Sequence, residues 1–484
     1  MVIGLGVLGA ISACSSLAQD IVGIITTIAK FNSDFNDIAI RFEDEASLLG
    51  DLARAFEVEN FELSLSEDDN EHLCRVFEHI SQRLHNVDTK LQKIRRQNFQ
   101  GKINWVFCRK ALEQAESDLH HWTQRLGTRF IMLSSESKAR ILNDLVIEQS
   151  RGSATELTEN LNRQVEMQRI AHLSASSLDV DVVDLSNRVT LPSEPGQLRF
   201  SARLDMSINL IIDLLRNPDS RIAYSPSWVK EEVGKLVFVL REAKPQVMHI
   251  PPLKGFVQTG IRLQPWGLAY SLPPAYSGTT PLLELLKKTN RQGQRLPALH
   301  PLEERFRLAH DIATAIEYVH SLGWVHKTIR SSNILVSWLD AHRKSPEGLG
   351  SAFLVGFEYA RHKTANSTGS AYDGWTNELY RHPERQNMFS GELLVDSYYE
   401  RYHDVYSFGV VLLELGRWKT LEATPEHFEN KKPLEIKQNL LNLSGNISPF
   451  VGSRYTRIVR KCLDATADSP SMTEILGDLE DLKV

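Results

Sequence analysis

No proline precedes Pro192 in this chain of 484 residues, and only Gly101 and Gly127 interrupt the stretch from Asp51 to Arg151. Proline fixes φ and removes a backbone donor, and glycine weakens helices. A stretch nearly without either is therefore free to be helical throughout. Apolar side chains recur there in steps of three and four: Ile28, Phe31, Phe35, Ile38, Phe42; then Leu73, Val76, Ile80, Leu84, Val87, Leu91, Ile94; then Trp105, Cys108, Leu112, Ala115, Leu119, Trp122, Leu126. Each series is one stripe of an amphipathic helix. Polar breaks at 64–70 and 98–101 separate the stripes. They are expected to bury against one another as an all-α helical bundle over residues 1–170.

Composition changes at 171–197, where Ser174, Ser176, Ser177, Asp179, Asp181 and Asp184 precede Pro192, Ser193, Glu194, Pro195 and Gly196. These are linker residues. Strand-like runs (Gly255–Gln258, Trp266–Tyr270) and helix-like runs (Glu231–Ala243, Glu303–His320) then alternate, so residues 198–484 predict a second domain of α+β class. A formal net charge of −6 carries no basic surplus, and nucleic acid is not an expected partner. Cys14, Cys74, Cys108 and Cys462 are far apart, with no metal-binding spacing and no disulfide pattern. Asp20 is the only charged side chain before Lys30, so the positive flank of a secretion signal is missing. A cytoplasmic protein is expected, and no metal.

The stretch Trp324-Val-His-Lys-Thr-Ile-Arg-Ser-Ser-Asn-Ile-Leu-Val336 resembles the catalytic loop of protein kinases, His-Arg-Asp-x-x-x-x-Asn. Three more blocks follow in that family's order. Leu354-Val-Gly-Phe-Glu358 takes the place of Asp-Phe-Gly, Tyr380-Arg-His-Pro-Glu384 resembles the end of the activation segment, and His403 to Glu414 resembles the buried helix after it. The resemblance implies a bilobal fold, with residues 198–274 as a reduced amino-terminal lobe and hinge and 275–484 as the carboxy-terminal lobe. His326, Asn333, Phe357, Glu384 and Asp404 are the motif residues retained.

The reactive positions differ from the family. Thr328 stands where the resemblance places the proton-accepting Asp, Gly356 where it places the magnesium-binding Asp, and Arg330 where it places a Lys. A threonine hydroxyl is no anion near neutral pH, and glycine has no ligating atom. No Gly-x-Gly-x-x-Gly occurs between 198 and 270, and Arg221-Ile-Ala-Tyr224, roughly where the third strand belongs, has no lysine. On these grounds the domain is expected to be a pseudokinase, not an enzyme, and ATP is not an expected cofactor. The alternatives are an unconventional active kinase that borrows a carboxylate from Asp340, Glu358 or Asp373, and a non-enzymatic scaffold.

Gly4, Gly6, Gly9 and Gly23 in the first apolar helix resemble the HeLo, or prion-inhibition-and-propagation, domain of fungal cell-death proteins. Phe31-Asn-Ser-Asp-Phe35 and Phe42-Glu-Asp-Glu45 carry the same resemblance. It implies a kinase-like domain that controls a membrane-targeting helical module, with recruitment to the plasma membrane and self-association through the helices. Gly6 and Gly9, each four residues before an alanine, are candidate lipid contacts, with Lys93, Arg95 and Arg96 at an anionic surface. Thr364, Ser367, Thr368, Ser370 and Tyr372 are candidate phosphorylation sites for an upstream kinase or a protein partner to read.

Overall fold

The computed structural model describes residues 7–31, 36–56, 67–96, 109, 112–113, 189–190, 199–204, 208–214, 236, 240–241, 243, 245–261, 264–271, 276–288, 300–339, 348–362, 375–386, 399–468 and 470–482. The chain divides into two compact units, Met1–Glu166 and Met167–Val484.

In the first unit the apolar stripes become helices α1 (Val7–Phe31), α2 (Asn36–Phe56) and α3 (Glu67–Arg96). Their inward faces form one core: Val7, Ile11, Cys14, Ile21 and Ile25 of α1 meet Ile38, Phe42 and Leu49 of α2 and Phe77, Ile80, Leu84 and Leu91 of α3. Leu112 joins the same core. The Cys14 thiol donates to the Phe77 carbonyl at 3.5 Å, and burial pushes its pKa up to about 12, so it stays protonated. Gly9–Thr27 is long and apolar enough to cross a membrane, and its buried face belongs to this core. Gly6 lies outside the described residues; Lys93, Arg95 and Arg96 fall on the last turn of α3.

The second unit opens with a five-stranded antiparallel sheet in the order β1-β2-β3-β5-β4. Its strands are β1 (Val189–Thr190), β2 (Arg199–Leu204), β3 (Ile208–Leu214), β4 (Leu253–Ile261) and β5 (Gln264–Ser271). Two boundaries read from sequence need correction. Val189 and Thr190, inside the stretch read as linker, pair with Leu204 and Arg203, so the sheet begins before residue 198. Among the described residues the third strand is Ile208–Leu214; Arg221–Tyr224 lies outside them. Leu236 and Leu240 are helical and buried, within the helix expected over Glu231–Ala243.

The remainder is mostly helical. Strand β6 (Tyr276–Pro281), helix α4 (Leu282–Lys287) and helix α5 (Leu302–Ser321) precede β7 (Trp324–Val325). A loop leads to β8 (Ile334–Leu339) and β9 (Ser351–Leu354), which form a three-stranded sheet with β6, while β10 (Arg361–His362) pairs with β7. Helix α6 (Arg401–Arg417) is buried along almost its whole length, and α7 (Pro433–Gly445), α8 (Ser448–Leu463) and α9 (Met472–Glu480) complete the unit. The sheet is fastened to this helical part by a turn at Pro245–Met248. The amide of Leu354 donates to the His249 carbonyl at 2.9 Å, and His249 Nδ1 lies 3.2 Å from the Ala352 carbonyl. The end of β9 is thereby held at this turn.

Candidate functional site

The loop between β7 and β8 is built around one carboxylate. Asp404, fully buried near the start of α6, accepts the backbone amides of His326 at 2.7 Å and Lys327 at 2.9 Å. It also accepts from the Tyr399 hydroxyl at 3.0 Å and faces His320 Nε2 at 3.1 Å. These amides belong to a loop with no helix or strand to satisfy them, and Lys327 sits at φ +71. A buried donor left unpaired costs about 1–3 kcal/mol, so one acceptor serving four donors holds the loop in shape. Burial alone would raise the Asp404 pKa; the His320 bond and charge, with His326, outweigh it and hold the carboxylate below its ordinary value.

His326 is wholly buried, with its ring 4.5 Å edge-on from Phe357. Its Nδ1 accepts the Thr328 amide at 3.3 Å. Burial pushes its pKa from 6.5 down to about 4, against the pull of Asp404, so it is neutral at pH 7. Between pH 6.5 and about 4 the unfolded chain takes up a proton that the folded chain refuses, so this stability is complete above pH 6.5 and is lost on acidification. The loss is at most about 3 kcal/mol. Denaturant midpoints across that range are expected to fall steadily, and His326→Gln should flatten the slope; an unchanged slope would refute the assignment.

Thr328 does not point into open solvent. Its hydroxyl donates to the Gly356 carbonyl at 2.7 Å, while Asn333 Nδ2 donates to the Thr328 carbonyl at 2.8 Å. Gly356 has φ +86, and a Cβ added there would lie 2.4 Å from Asn333 Nδ2. Its own amide donates at 2.9 Å to Asp213 Oδ2. Asp213 is the residue that sequence reading missed. It lies in Leu-Ile-Ile-Asp near the end of β3 and is only 3% exposed. An aspartate directly after three apolar residues of a strand was the available signal.

Glu384 is exposed rather than locked in a buried ion pair. It accepts from the Tyr402 hydroxyl at 2.7 Å and lies 3.5 Å from His403 Nε2 and 3.6 Å from His382 Nδ1. Three such donor groups close together have the composition of a cation site. His403 Nδ1, however, accepts the Glu400 amide at 2.9 Å, which leaves the ring proton on Nε2. The ring therefore donates to Glu384 and offers a metal no lone pair there. Arg330 immediately precedes the turn Ser331–Asn333, and its positive charge helps to lower the His326 pKa. Thr364, Ser367, Thr368, Ser370, Tyr372, Asp340 and Asp373 lie outside the described residues; Glu358 falls in the turn Phe357–Tyr359.

A loop pinned by a buried helix carboxylate, a Phe against its histidine and a five-stranded sheet above it define the frame of a protein kinase. Residues 274–479 match the family of protein tyrosine and serine/threonine kinases, and the chain contains a protein kinase domain there. It is 26% identical over 218 residues to a probable serine/threonine-protein kinase, roco8, of Dictyostelium discoideum, covering 44% of this chain and 10% of that protein. A dual specificity protein kinase, pyk3, of the same organism is 27% identical over 194 residues, 38% of this chain and 12% of that one. The serine/threonine/tyrosine-protein kinase HT1 of Arabidopsis thaliana is 27% identical over 143 residues, 30% of this chain and 32% of that one. The chain thus spans about a tenth of the length of the first two. These matches correct the expectation that the domain is no enzyme: they point to a protein kinase. The physical reason is that Thr328 and Gly356 alter single side chains, whereas positioning and charge stabilisation, which supply most of phosphoryl-transfer catalysis, are distributed over the frame.

Proposed function

We propose that the second unit is an unconventional, slow serine/threonine protein kinase. The observation that carries this is Asn333, held at the catalytic loop by its 2.8 Å bond to the Thr328 carbonyl, within a loop still pinned by Asp404. The transition state of phosphoryl transfer is loose, so the attacking hydroxyl needs orientation more than an early base. With Thr328 in place of an anionic base, the rate is expected to be roughly 10²–10⁴-fold below that of a kinase that has one. The test uses the full chain, labelled ATP with magnesium or manganese, and a mixed serine- and threonine-containing protein substrate. Slow transfer onto hydroxyls, lost in a folded Asn333→Ala variant, is the expected result. Label incorporation equal in the wild type and that variant would overturn the reading.

A further inference from the structure

Three successive backbone amides at the end of β9 take their acceptors from three different elements. Leu354 donates to the His249 carbonyl at 2.9 Å, Val355 to the Asn333 carbonyl at 3.0 Å, and Gly356 to Asp213 Oδ2 at 2.9 Å. The first and third acceptors belong to the sheet side, just after the turn Pro245–Met248 and on β3, while the second belongs to the catalytic loop. This short segment is therefore bonded alternately to the sheet and to the helical part. Phe357 continues the pattern, with its ring 6.5 Å from that of Tyr270 on β5 and 4.5 Å from that of His326. The three bonds differ in kind. A carbonyl acceptor moves only with the backbone that carries it, whereas Asp213 accepts through a side chain with rotamers of its own. At 3% exposure, little water reaches it to replace a lost bond. Any parting of the sheet from β9 must break the Leu354 and Gly356 bonds together, and it spares the Val355 bond.

We propose that Asp213 is a latch between the sheet and the helical part: its bond to the Gly356 amide holds the two closed, and its release lets them part at the end of β9. In a kinase the nucleotide is held between these two parts, and opening steps of this kind commonly limit turnover. The latch thus sets how fast nucleotide exchanges. That use rests on the kinase reading; the latch itself does not.

Amide hydrogen exchange of the full chain, resolved to single residues and with no nucleotide present, tests the latch. In the wild type the Leu354 and Gly356 amides are expected to open as one unit, with one dependence on denaturant, while Val355 opens separately. Asp213→Ala should speed exchange at both 354 and 356 by roughly ten- to a hundredfold, the range for a hydrogen bond to a carboxylate, and leave 355 unchanged. Asp213→Asn keeps an oxygen acceptor and should retain most of the protection. Faster exchange confined to Gly356 would make the bond a local one and overturn the latch. Unchanged exchange there in a folded Asp213→Ala protein, or unlinked opening of 354 and 356 in the wild type, would overturn it too. A fluorescent ATP analogue with magnesium reads the use: its release from Asp213→Ala should be faster than from the wild type, and equal rates would overturn the control of exchange. Linked opening without phosphate transfer would remove the kinase reading and leave the latch; transfer with unlinked opening would do the reverse.

Discussion

Asp404→Ala should lower the stability of the second unit by roughly 3–5 kcal/mol, the range for breaking a buried charged hydrogen-bond network by removing one partner. The carboxylate is fully buried and satisfies two backbone amides, a tyrosine hydroxyl and a histidine. Alanine leaves all four without an acceptor and opens a cavity in α6. The same-shaped Asp404→Asn separates the acceptor role from packing. Whichever end of the new amide carries the nitrogen faces a backbone N–H, at His326 or at Lys327, which cannot reverse its polarity. Asparagine should therefore recover only the packing part of the loss. Denaturant titration of the full chain would measure both, and a change below about 1 kcal/mol for alanine would remove Asp404 from its place at the centre of the loop.

The same carboxylate shows what could be read in advance. His326, Asn333, Phe357 and Asp404 were legible because the residues of each block lie within a dozen positions of one another, and each motif fixes a local geometry. The helix stripes were legible for a similar reason: Leu73, Val76, Ile80, Leu84, Val87 and Leu91 are all buried, as their spacing requires. The sheet was harder. Val189 and Thr190 form a strand of two residues, too short to show a period, amid Ser and Asp that read as linker. Asp213 was missed because its role comes from a contact 143 residues away, at Gly356, which no local pattern encodes. Glu384 is legible in the sequence as a motif residue, but its contacts are not. Its actual partners, Tyr402, His403 and His382, lie on a different helix turn and two residues upstream, and they lower its pKa, the Tyr402 hydrogen bond most.

Gly356→Ala should be nearly as damaging as the loss of Asp404, for the opposite reason: it adds an atom. At φ +86 a side chain is held in backbone geometry that costs about 1–3 kcal/mol, before any contact is counted. The new Cβ would then meet Asn333 Nδ2 at 2.4 Å and Cγ at 2.5 Å, so the amide must leave the Thr328 carbonyl it supports. A total of about 2–4 kcal/mol is expected, part strain and part overpacking. Asn333→Ala divides the two: in that background the clash is gone and Gly356→Ala should cost only the backbone part. A double-mutant cycle by denaturant titration with no coupling would refute the contact. Gly356→Asp, which returns the family's carboxylate, carries the same Cβ and the same cost, so it should fail as a repair. Such a failure would assign the cost to the added Cβ, which meets Asn333 whatever the rest of the side chain carries.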